Sequence, residues 1–102
     1  MKPHLKAVDD KTDVEKAFDN YNIVANDNDL PVARFLTAGR RAKIKRRLSD
    51  IGGLEVWNEA LQKLSMTPFL LGDNDRRWRA SLDFLLQESS LIKLLEGTYD
   101  RD

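Results

Sequence analysis

The sequence predicts an all-α fold, a compact bundle of about five short helices behind a flexible N-terminal tail. Three observations carry this. Apolar residues recur at three- and four-residue spacing in five separate stretches, which is the α-helical period. Capping residues stand where several of those stretches begin and end. No alternation of apolar and polar residues runs long enough for a useful strand, and no internal repeat appears. With 102 residues the chain makes one domain. Residues 1–11 are expected to be the flexible tail, and residues 12–102 a single helical domain.

Residues 1–11 mix Lys, Asp, Pro and His without periodicity. Thr12 and Glu15 have the spacing of a capping box. Val14, Ala17, Phe18 and Tyr21 follow at helical spacing, predicting a first helix over about 13–25. The run Asn26 to Asp29 breaks it. Pro31 opens a connector that ends at Leu36. Thr37 is the second N-cap, and Ile44, Leu48 and Ile51 form the buried stripe of a helix over 38–51. Gly52 and Gly53 supply its C-cap. Leu54, Trp57, Ala60, Leu61 and Leu64 line one face of a third helix, about 54–65, which Thr67-Pro68 stops. Gly72 to Asp75 signals a turn. Trp78, Leu82, Leu85 and Leu86 predict a fourth helix over about 77–87. Leu91, Leu94 and Leu95 predict a fifth over about 89–96, ending at Gly97. Trp57, Leu61, Leu64, Leu82, Leu85 and Leu94 are expected to share one core, and Trp78 to be mainly structural.

Charge is the second message. The chain holds 17 basic and 17 acidic residues, yet they are segregated. Residues 30–49 carry seven basic residues and no acidic one: Arg34, Arg40, Arg41, Lys43, Lys45, Arg46 and Arg47. Residues 1–29 carry four basic against seven acidic, and residues 50–102 six against ten. Most charge runs are solvated faces. This one is of a single sign, and like charges one turn apart repel by a few tenths of a kcal/mol. Its arginines suit bidentate phosphate contacts. Such a patch attracts polyanions, nucleic acid or an acidic protein surface. Arg76, Arg77 and Arg79 form a second basic cluster around Trp78, at the expected start of the fourth helix. Cations are misplaced there unless they serve an anionic ligand.

Several function classes are excluded or disfavoured. There is no cysteine, hence no disulfide framework and no thiolate metal site. No apolar run reaches the roughly 20 residues needed to span a bilayer, and the N-terminus lacks the apolar core of a signal peptide, so a cytoplasmic location is expected. The one histidine, His4, stands in the tail, so no Ser/His/Asp or Cys/His set can form. No Gly-rich phosphate loop occurs. Asp73 and Asp75 read as turn formers, since no calcium-loop continuation follows. Neither an enzyme nor a bound cofactor, metal or small-molecule substrate is expected.

The C-terminal half carries an ordered set of motifs: Trp57-Asn58-Glu59-Ala60-Leu61, Thr67-Pro68-Phe69-Leu70-Leu71-Gly72, Asn74 to Leu86, and Lys93-Leu94-Leu95-Glu96-Gly97-Thr98-Tyr99. Over about residues 19–102 this resembles the C-terminal domain of phage and prophage replication proteins, the replisome-organiser or DnaD-like class. Arg77 stands where that class usually has Gly, and Gln87-Glu88 replaces its usual basic residue and proline. The class commonly places this domain after an origin-binding winged helix, and no such domain precedes residue 13. The chain is therefore expected to be an excised domain or a stand-alone relative. The resemblance implies a non-enzymatic replication module that contacts DNA non-specifically or a replication helicase or loader. The alternative is an adaptor or inhibitor of phage origin with no nucleic-acid role.

Overall fold

The computed structural model describes residues 11–100, so the expectation of a flexible tail over residues 1–10 lies outside the described residues. Helix α1 spans Asp13–Asp27. Its capping box is complete: Thr12 Oγ1 accepts from the Glu15 N–H at 3.2 Å, and Glu15 Oε1 accepts from the Thr12 N–H at 2.9 Å. Lys11, assigned to the tail from sequence, pairs with Asp19 of α1.

Helix α2 spans Ala38–Ile51, the bounds its caps predict. Thr37 Oγ1 accepts from the Arg40 N–H at 3.1 Å, and Gly52 leaves the helix at φ 102° while its N–H reaches the Leu48 carbonyl. A side chain at Gly52 would be strained in that left-handed conformation. Helix α3 spans Leu54–Leu64. Helix α1 packs against both α2 and α3.

The chain between α1 and α2 is clamped rather than loose. Asn22 donates to the Ala33 carbonyl and accepts from the Ala33 N–H, both at 2.9 Å. The Tyr21 hydroxyl donates to the Pro31 carbonyl at 2.7 Å.

Beyond α3 the structure departs from the expected pattern. A single 3-10 turn spans Pro68–Leu70. Leu71 and Arg79 form an isolated antiparallel bridge, and the Ala80 N–H reaches the Leu70 carbonyl at 2.9 Å. Residues 76–81 are therefore not helical, and the fourth helix, α4, is only Leu82–Leu85. The expected helix over 77–87 is corrected on two grounds. Arg77 sits at φ 55°, outside the right-handed helical region. Ser81 caps α4 by accepting from the Phe84 N–H at 3.2 Å, which fixes the start after the basic cluster. Helix α5, Ser90–Leu95, packs on α3 and on α4.

The expected core is present. Trp57, Leu61, Leu64, Leu82, Leu85 and Leu94 belong to one buried cluster with Tyr21, Ile44, Leu70 and Leu91. The Trp57 indole is fully buried, and its Nε1–H donates to the Ala17 carbonyl at 3.1 Å. A buried indole thus keeps its polar atom satisfied.

Candidate nucleic-acid interface

The ten cations singled out from sequence divide into two sets. Four are engaged inside the molecule. Arg40 lays its guanidinium fork on Asp83 of α4, with Nε and Nη2 each 3.0 Å from a carboxylate oxygen, and Nη1 donates to the Phe35 carbonyl at 2.9 Å. Arg47 is buried beside the Ile44 and Leu48 stripe. Its Nε lies 3.1 Å from Asp50 Oδ2, near enough to pair but out of line for a hydrogen bond. Arg79 reaches the carbonyl and carboxylate of Asp29. Arg41 stands 3.9 Å from Glu15, a loose contact between exposed groups. The one-sign run is therefore relieved by carboxylates outside it.

The other six, Arg34, Lys43, Lys45, Arg46, Arg76 and Arg77, are exposed and make no ion pair among the described residues. Arg34 lies over the exposed Phe35 ring, 5.2 Å from its centroid. Arg46 stands on the side of α2 away from the Ile44 and Leu48 stripe that faces the core, and Lys43 and Lys45 lie on either flank of that stripe, all three exposed. Helical geometry forces this placement, since residues one and two positions from Ile44 point 100° and 200° away from it.

Arg76, Arg77 and Trp78 lie on the loop before α4, not on a helix start. Asn74 builds that loop. Its Nδ2 donates to the Phe69 and Trp78 carbonyls at 2.9 and 2.7 Å, and its Oδ1 accepts from the Arg76 and Trp78 N–H groups at 3.1 and 2.9 Å. Trp78 is held by both of its backbone polar groups and remains 40% exposed, so it is not a core residue. Its ring meets Phe84 edge to face at 4.9 Å between centroids. Phe84 meets Tyr99 at 5.9 Å, and Tyr99 stacks on Phe69 at 6.4 Å. The periodicity of Trp78 with Leu82 and Leu85 suggested core packing. It concealed this row, for which the only sequence signal was the Gly72–Asp75 turn.

The two basic segments meet at α4. Asp83 reaches back to Arg40 of α2, while the next residue, Phe84, supports Trp78. The Arg40 fork holds the Asp83 carboxyl below the usual carboxylate range, against partial desolvation and with help from Arg40 and Lys43 charge. The same hydrogen bonds raise Arg40. Burial pushes the Tyr21 hydroxyl up to about 12, offset in part by a backbone hydrogen bond at Leu82 and by Arg40. Tyr21 is thus a neutral donor at any ordinary pH.

Comparison with known proteins bears on what this surface serves. The chain is 35% identical over 83 residues to the DNA replication protein gp18 of Salmonella phage P22. It is related to a phage DNA replication protein. The match covers 76% of this chain but 30% of the relative, so the chain spans less than a third of that protein's length. No protein-family model and no solved structure matches. Among the described residues no group of three or more His, Cys, Asp or Glu side chains could hold a metal ion. No helix among them is long and apolar enough to cross a membrane.

Proposed function

We propose that this chain is a non-enzymatic helical module of a phage-type replication protein, of the replisome-organiser or DnaD-like class, that holds DNA through its phosphates in the cytoplasm. The observation that carries this reading is the outer face of α2. Lys43, Lys45 and Arg46 are exposed and without an ion pair among the described residues, on a helix whose other arginines are largely occupied. Apart from the attraction of Lys43 for Asp83, a structural helix gains little from three such cations, and Lys43 and Arg46, three residues apart, repel mildly. Long flexible cations with no Asn or Gln beside them contact phosphates and carry little sequence information. Arg34, Arg76 and Arg77 extend the same surface chemistry, and the relation to a phage replication protein supplies the setting.

Replacing Lys43, Lys45 and Arg46 together by Gln is expected to weaken DNA binding about equally for every sequence. The plot of log K against log salt should become shallower by up to about 0.9 per lost duplex phosphate contact. Stability should hold or rise slightly. Fluorescence anisotropy at several salt concentrations measures this, and an unchanged affinity and slope would remove α2 from the interface. The second reading is then a protein partner, such as a replication helicase or loader. Val32 and Phe35, 51% and 63% exposed on the connector, favour it.

A further inference from the structure

We propose that Trp78 and the depression beside it form a base-stacking subsite for single-stranded nucleic acid, separate from the phosphate-binding face of α2. The proposal rests on the reading that the chain contacts nucleic acid. The depression is shallow and open to solvent, about 430 Å³, and is lined by Phe69, Asn74, Asp75, Arg76 and Trp78. Its wall is an indole whose position is fixed from both sides. Asn74 binds the backbone N–H and carbonyl of Trp78, and Phe84 braces the ring. An exposed aromatic so immobilised loses little freedom on binding, which is what a stacking platform needs.

The charges around the ring fit an unpaired base within a strand. Arg76 lines the depression, and neither it nor Arg77 has an ion pair among the described residues, so both are available to flanking phosphates. Asp75, also on the wall, would repel a phosphate. It suits the base edge, where a carboxylate accepts from an exocyclic amino group. A duplex keeps its bases stacked on one another, so only an unpaired base can stack on Trp78. The position of α4 lets one strand use both features. Asp83 ties it to the basic helix, and Phe84 ties it to Trp78.

The test uses tryptophan emission together with anisotropy. Trp57 is wholly buried, so quenching by a bound oligonucleotide reports on Trp78. Titration with a single-stranded oligonucleotide of about 16 residues is expected to quench the wild-type emission, and a duplex of equal length to leave it unchanged. Trp78→Ala should weaken single-strand binding by about 5- to 150-fold, the range for one lost stacked base, and leave duplex binding unaltered. Should that variant fail to fold by circular dichroism, Trp78→Phe keeps the test open. It should bind the strand within a few-fold of wild type and show no quenching. Unquenched wild-type emission at saturation, or wild-type affinity in a folded Trp78→Ala chain, overturns the subsite and leaves the patch to a protein partner. If the α2 glutamine variant weakens strand and duplex alike while emission never responds, this inference fails and the phosphate reading stands. Quenching that survives with duplex affinity unchanged in that variant does the reverse.

Discussion

Trp57 and Trp78 belong to two regions that hold their side chains by different means. Around Trp57, in residues 13–65, three regular helices present apolar faces to one another, and the indole disappears between them. Around Trp78, in residues 66–100, regular structure is short. A 3-10 turn, one bridge and two helices of four and six residues are joined by side chains that bond to backbone, chiefly Asn74, Thr67 and Ser81. Burial of area fixes the first region. The second shares that core through Leu70, Leu82, Leu85, Leu91 and Leu94, and saturation of polar groups shapes the loop that carries Trp78. The same residue type is thereby a core anchor in one place and a presented surface in the other.

The largest effect that would break this contrast is at Trp57. Trp57→Ala leaves a cavity at the helix crossing and strands the Ala17 contact. It is expected to cost about 3–5 kcal/mol, enough to remove most of the stability of a chain this size. A thermal melt read by circular dichroism measures it, and an unchanged midpoint would put the two indoles in one class. An intermediate and more local effect is expected at Asn74. Asn74→Ala removes four hydrogen bonds from the loop and should cost about 1–3 kcal/mol. Hydrogen exchange should quicken at the Arg76 and Trp78 amides while the amides of α1 and α3 keep their protection.

The smallest effect concerns the link between the regions. The Arg40 and Asp83 pair joins α2 to α4, but the Asp83 side chain is 63% exposed, so Asp83→Asn should cost no more than about 1 kcal/mol at neutral pH. Its pH dependence has a definite sign. The folded-state carboxyl lies below its ordinary value, so the pair stabilises fully above the unfolded pKa and is lost as pH falls through the folded one. The difference in melting temperature between wild type and Asp83→Asn should therefore shrink in acid. A difference constant with pH would show that the pair does not couple the two regions through charge.

Local chemistry was sufficient for the first region. Thr37 and Gly52 state both ends of α2 in the residues themselves, and the Thr12 and Glu15 spacing states the start of α1. It was insufficient for the second, because Trp78, Leu82 and Leu85 satisfy a helical period that Asn74 and the Leu70 carbonyl override. The candidate site shows the same division. The run from Arg40 to Arg47 is legible as charge, but its internal use is not. Asp83 lies 43 residues from Arg40, and Asp29 lies 50 from Arg79. No local pattern announces those two pairings, whereas Arg47, with Asp50 three residues on, had its partner at helical spacing.

The outer face of α2 gives the molecule a further property. A chain with equal numbers of cations and anions has no net charge to draw a distant partner, but the unpaired cations of α2 give it a local positive field. Such a local field decays faster than that of a net charge, and at physiological salt it is screened over about 8 Å. It therefore adds little to the frequency of encounters and much to their orientation, turning α2 toward a polyanion once the two are nearly touching. As ionic strength falls the same field reaches neighbouring copies. The colloidal behaviour of the protein then becomes that of a patchy particle, self-attracting in dilute salt and dispersing as salt is added.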